Sequence, residues 1–462
     1  MNASVNVWEE NVVIPTYKVY PPEKGPLFIE NRAYQGSSGK VYPLPVTEKI
    51  SDEKEDVSYH AVFLENDFLK VMVFPELGGR IQRAYDKTND YDFVYYNHVI
   101  KPALVGLTGP WISGGIEFNW PQHHRPSTYS PVDYSFCKNE DGSATVFVSE
   151  TDKMYGTKGM ASFTLYPDKA YIEIKGRLFN GTDIPQTFLW WANPAVPVND
   201  HTYSVFPPDV HAVMDHGKRA VSTFPIATGE YYKYDYSAGI DISMYKNIKV
   251  PTSYMAAHSD FDFIGNYDEE KKAGLLHVAD HHISPGKKQW TWGNADFGRA
   301  WDRNLTDADG PYIELMTGVF ADNQPDFTWL KPYEEKTFVQ YFMPYKGVGR
   351  VKNATKDAMI NFTVEDGTAN LLLYTSGCFD NLRLTVSRNG ELLYETTLNA
   401  DPCEYFEDSF ATDLTSADGC EVTVTTEQNE ILVSYQAIKE ELEPTPDPAV
   451  PLAAPEELKS TE

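Results

Sequence analysis

ATVFVSETDKMYGTKGMASFTLYPDKAYIEIKGRLFN, residues 144–180, decides the class of fold. Within it, ATVFVSE (144–150), ASFTLYP (161–167) and AYIEIKGRLFN (170–180) place β-branched and aromatic residues at alternate positions, the period of a strand buried on one face. The same texture extends outward to FLKVMVF (68–74) and TFVQYFMPY (337–345), and long helical periodicity is absent. Asn139-Glu140-Asp141-Gly142 and Asn180-Gly181-Thr182-Asp183 supply connections between runs. No repeat of fixed period is visible, which argues against a propeller or solenoid. A large antiparallel sandwich is predicted.

Around Tyr345-Lys346-Gly347-Val348-Gly349 the texture changes, and a second β-rich unit follows through MINFTVED, ANLLLYTSG, LRLTVSRNGELLYETTL and CEVTVTTEQNEILVSYQAI. Arg388-Asn389-Gly390 between two alternating runs is a strong hairpin signal. At about 90 residues this unit is near the size of an immunoglobulin-like module. The chain therefore divides into a lead-in with N-terminal strands (1–58), a large domain (59–346), a small β-sandwich (350–438) and an acidic, proline-rich tail or linker (439–462). That tail has too few large apolar groups to offset the entropy of ordering.

The 462 residues are 42% hydrophobic and 23% charged, an ordinary globular balance. A net charge of −28 works against nucleic acid or an anionic membrane as partner, since both demand a basic surface that displaces counterions. A neutral ligand such as a sugar stays compatible. No run of about 18 apolar residues suggests a spanning helix. The start, MNASVNVWEENVV, has neither a basic nor an apolar leader region, so a cytoplasmic protein is expected. Its four cysteines, Cys137, Cys378, Cys403 and Cys420, are then expected as reduced thiols, and none forms a CxxC pair. The sequence assigns no metal and no other cofactor.

Residues 286–327 read GKKQWTWGNADFGRAWDRNLTDADGPYIELMTGVFADNQPDF. Aromatic faces (Trp290, Trp292, Trp301) beside short polar side chains suit a sugar, whose C–H faces stack on rings while its hydroxyls need fixed donors and acceptors. Glu314 interrupts the apolar Tyr312-Ile313-Glu314-Leu315-Met316 and is a candidate catalytic carboxylate; pairing with a cation across the sheet is the plainer reading. GGIEFNWPQHHRP (114–126) sets Glu117, Asn119, Trp120, His123, His124 and Arg125 behind a glycine turn. His123 and His124 offer a metal pair, but adjacent side chains on a strand diverge. HVADHHISPGKK (277–288) offers His281 or His282 as a hydroxyl contact, and a metal set of His277, Asp280, His281 and His282 only if the segment were helical. FPPDVHAVMDHGKR (206–219) leaves Asp209, His211 and His216 at loop or strand-end positions. Signatures of nucleotide binding, serine hydrolysis and zinc proteolysis are missing.

FPELGGRI (74–81), IEIKGRLFNGTDIPQTFLWWANPAV (172–196) and GPYIELMTGVFADNQPDFTWLKPYEEKTFVQYFMPY (310–345) resemble the galactose-mutarotase-like superfamily and, more narrowly, the DUF5107 family, over roughly residues 8–345. The resemblance implies an all-β fold, a galactose-mutarotase-like β-supersandwich with a sugar site on its concave face, followed here by the small immunoglobulin-like β-sandwich. It also implies a C-terminal tetratricopeptide region beyond this chain. In aldose mutarotases a late-strand glutamate takes the anomeric proton while a histidine donates to the ring oxygen. Glu314 falls at the place of that glutamate, whereas Trp190-Trp191-Ala192-Asn193-Pro194 has no histidine at the other place.

The expected function is therefore a glycoside hydrolase acting on oligosaccharides, with Glu314 and Glu117 as the catalytic pair whose separation decides retention or inversion. Arg80, His123, His211, His281, Asp296 and Gln324 are expected to hold hydroxyls, and Trp120, Trp190, Trp292 and Trp301 to stack on sugar faces. Two alternatives stand beside it. One is an aldose 1-epimerase acting on a monosaccharide through Glu314 and a relocated histidine such as His211. The other is a non-catalytic carbohydrate-binding module.

Overall fold

Alternation along the strands resolves into two large antiparallel sheets, one of twelve strands and one of eight, closed face to face over a shared apolar interior. This is the all-β supersandwich that the resemblance implied. The computed structural model describes residues 4–22, 41, 43–216, 220–232, 234–321 and 326–438. Gln324 and the tail 439–462 lie outside the described residues. Among the described residues the α-helix Asp296–Leu305 interrupts the strand pattern, and no helix is long and apolar enough to cross a membrane.

Six strands of the larger sheet carry the argument, in spatial order Arg80–Asp86, Ile116–Asn119, Trp190–Pro197, Tyr312–Val319, Gly286–Thr291 and Thr252–Ala256. Because side chains alternate along a strand, each contributes one residue set to the interior and the other to the opposite face. Ile81, Ile116, Phe118, Trp190, Ala192, Val196, Ile313 and Leu315 enter the interior. Glu117, Asn193, Glu314, Lys288 and Trp290 therefore share the outer face. Register then lines them up: Glu117 stands opposite Asn193, and Ala195 and Trp290 flank Glu314.

The same parity corrects two expected sugar platforms. Trp120 continues the interior series of Ile116 and Phe118, and Trp190 begins that of Ala192 and Val196, so both are core residues. Their rings stack at 5.4 Å and 9° inside the sandwich, and Trp190 Nε1 donates to Gln340 Oε1 at 3.1 Å. Gly159 makes the room: a Cβ there would fall 1.9 Å from Trp120 Nε1.

At the N-terminus, strand Asn6–Val19 pairs with Ile50–Glu65 at the edge of the larger sheet. At the other end, two four-stranded sheets enclose a separate core from Ala358 to Ala437. Their hairpin turns at Asn389 and Gly390, with φ of +52° and +81°, the left-handed pair that a two-residue connection needs. Lys346 Nζ joins the units by donating to Thr88 Oγ1 at 2.6 Å and to the Cys403 carbonyl at 3.1 Å. Cys137, Cys378, Cys403 and Cys420 are free thiols.

Candidate functional site

Glu117 reaches the outer face through a turn that glycine alone accommodates. Gly115 has a φ of +65°, and a Cβ on it would meet the Ile81 carbonyl at 2.2 Å. Arg80, buried beneath, pins this turn by donating to the carbonyls of Ile112 and Gly114. The Glu117 carboxylate is then enclosed by donors. Thr128 Oγ1 donates to Oε1 at 2.6 Å, while His124 Nδ1 at 2.7 Å, Trp111 Nε1 at 3.1 Å and Asn193 Nδ2 at 3.5 Å address Oε2. Burial works to raise its pKa, yet His124, His123 and Arg80 together hold it well below the ordinary carboxylate range.

Glu314 has the opposite environment. Burial pushes its carboxyl up to about 7, and the Glu117 charge adds to the rise, against His124, Lys288 and a hydrogen bond from Asn193. Lys288 is its cationic counterpart: burial draws the ammonium down to about 7, opposed by Glu314 and Asp215. His123, His124, His216, Lys288, Trp292 and Glu314 line one cavity of about 20 Å³. His216 is held there from behind. Its Nδ1 lies 2.7 Å from Ser253 Oγ, which donates to Asp215 Oδ1 at 3.2 Å, and Trp290 meets its ring edge-on at 5.6 Å. Trp292 donates to the Tyr312 hydroxyl and stacks on Trp301 of the helix at 4.1 Å and 10°.

A carboxyl that titrates near neutrality, beside imidazoles and an ammonium in a tryptophan-walled cavity, is equipped for proton transfer. Of the residues expected from sequence, Glu314, His123 and Trp292 line this cavity, with Glu117 and Arg80 directly behind it and Trp301 on its outer wall. Others lie elsewhere. His211 is exposed, and the strand Ala212–Met214 separates it from His216, which does reach the cavity. Asp296 is exposed at the start of the helix, and His281 is tied to Asp262 Oδ1 at 2.8 Å on a turn that does not line the cavity. Sequence reasoning weighed His124 only beside His123, and passed over Asn193, Lys288 and Trp111 as site residues. Strand parity was the available signal for Lys288, which shares a face with Trp290 and Trp292.

Over residues 37–345 the chain matches a family described as a domain of unknown function, DUF5107, and over residues 353–435 it matches the second domain of YphG-like proteins. It is similar in structure to a TPR-domain-containing protein from Parabacteroides distasonis, at 24% identity and a TM-score of 0.63, over 74% of this chain and 56% of that one. The chain thus spans little more than half the length of that relative. A galactose mutarotase-like protein from Lactobacillus casei is similar at 11% identity, over 62% of this chain and 100% of that one, with a TM-score of 0.42. Another from Clostridium acetobutylicum shares 11% identity over 63% of this chain and 96% of that one, with a TM-score of 0.43.

Proposed function

The chain belongs to the DUF5107 family, and from that premise we propose that it is a carbohydrate-active enzyme of the aldose 1-epimerase type. The observation that supports this most is Glu314, a carboxyl raised to about 7 inside a cavity shared with His216 and Lys288. In this reading Glu314 takes the proton of the anomeric hydroxyl while His216 gives one to the ring oxygen. The C1–ring-oxygen bond breaks as the C1 carbonyl forms. Rotation about the C1–C2 bond and reclosure, with both protons returned, yields the other anomer.

His216 takes the part expected of His211, because Ser253 and Asp215 fix its ring at the cavity. The hydrolase reading would need Glu117 to attack or to deprotonate water, and four donors already occupy its two oxygens, which favours the epimerase. A cavity of about 20 Å³ has room for about one water, so a sugar ring enters when a wall moves. The stacked Trp292 and Trp301 form that wall in our reading, with Trp292 the platform once exposed.

Proton NMR exchange between anomers of a panel of aldoses tests the proposal. Equilibration faster than buffer, lost in Glu314→Gln, is the expected outcome. Buffer-rate equilibration of every aldose, with oligosaccharides cleaved, would return the assignment to a hydrolase. Sugar binding without any turnover would leave a binding module.

A further inference from the structure

We propose that Glu117, His123 and His124 form a divalent metal site, with zinc as the ion its donors suit. The three side chains each offer one ligand atom, and these atoms all lie within 4.8 Å of one another. Expecting adjacent histidines to diverge assumes a strand, but the strand ends at Asn119 and residues 121–124 lie in a bend. There the two imidazoles sit with ring centroids 3.7 Å apart, inclined by 32°.

The buried Nε2 of His123 has no hydrogen-bond partner among the described residues, although nearly every buried polar atom finds one. A metal ion would satisfy it. Two imidazoles and one carboxylate are a donor set that zinc takes in catalytic sites, with the fourth position left to water or substrate. Here that position opens on the cavity that also holds Glu314 and His216. The outer shell is built as well: Thr128 holds Glu117 Oε1, and Trp111 and Asn193 hold Oε2, which fixes the carboxylate against rotation.

The cluster needs only a small expansion. His124 Nδ1 and Glu117 Oε2, now 2.7 Å apart, would separate to about 3.4 Å around a tetrahedral ion with bonds of about 2.1 Å. Arg80 and Lys288 oppose a dication here, and Glu117, Glu314 and Asp215 supply the compensating charge. The Asp280, His281 and His282 group has no comparable enclosure, because His282 and Asp280 are largely exposed.

This inference does not rest on the epimerase reading, since it is tested by binding alone. The full chain, stripped with a chelator and dialysed, is titrated with zinc against a chromophoric competitor, and bound metal is counted by mass spectrometry. One zinc per chain is expected, with affinity falling at least about a hundredfold in His123→Gln and Glu117→Gln and unchanged in His281→Ala. Glu117 carries structural hydrogen bonds, so its variant is first checked for folding by circular dichroism. His123→Gln removes none that the described residues make, and a cobalt-substituted wild type gives an independent readout through its tetrahedral absorption bands. Folded wild type that takes up no zinc, or His123→Gln with wild-type affinity and stoichiometry, overturns the proposal.

Discussion

Lys287 and Lys288 are neighbours on one strand and are equally buried, yet they enter opposite faces of the larger sheet. Lys287 points into the sandwich beside Thr317, which accepts from Gln340 of the other sheet. Its ammonium has no hydrogen-bond partner among the described residues, and burial draws its pKa down to about 8. The nearby His277 is also without a partner on either ring nitrogen, and burial takes its pKa down to about 3. Lys288, one residue on, meets Glu314 and the cavity. Burial alone therefore does not mark a functional group. Lys288 differs in that its face supplies a titrating counterpart, Glu314, and borders a cavity.

Truncation on the interior face should give the largest effect. Trp190→Ala removes a fully buried indole and should lower unfolding free energy by about 3–5 kcal/mol, read from urea midpoints. A loss under about 1 kcal/mol would mean that the interior is not packed as described.

On the outer face, Glu314→Gln should leave the urea midpoint near wild type and cut anomer exchange by at least about a hundredfold, equivalent to about 2.7 kcal/mol of barrier. Full activity would remove Glu314 from the mechanism.

The two lysines sharpen the comparison directly. As a base, Glu314 must be ionised, so kcat/KM should fall about tenfold per pH unit below about 7. Lys288→Met removes a charge that lowers the Glu314 pKa, so this limb should move to higher pH; no movement would uncouple the pair. Stability has a definite sign here. The folded pKa of Glu314 lies above its unfolded value, so the protonated form stabilises fully below about 4.5, and that contribution is lost as pH rises through about 7. Lys287→Met should leave the activity profile unchanged and raise stability by about 1 kcal/mol, because an unpaired buried ammonium gives way to an apolar chain. A marked destabilisation would reveal a partner for Lys287.

The smallest effects are expected at His211→Ala and Asp296→Asn. Both residues are exposed, so stability should stay within about 0.5 kcal/mol and exchange rates within about twofold. A large loss of rate at either would place it at the substrate.

Much of the fold was legible because β-structure writes its period into short stretches. The alternation in residues 144–180 and the Asn389-Gly390 hairpin each depend on a few adjacent residues. Parity alone would have sent Trp120 and Trp190 inward, and that local signal was outweighed by the general affinity of tryptophan for sugars. Glu314 could be singled out because a glutamate breaks an apolar run.

What local pattern does not carry is convergence. Asn193 joins Glu117 to Glu314 across strands far apart in the chain, through registers that nothing in any one strand specifies. The position of His216 at the cavity with His211 outside it, and the meeting of His123 with His124, likewise follow from where the backbone turns. An all-β chain and its strand periods can be read from the residues alone. Tertiary structure alone decided which face each polar group serves and which partners surround it, because pKa, charge pairing and metal-ligating geometry depend on distances that only the paired sheets fix.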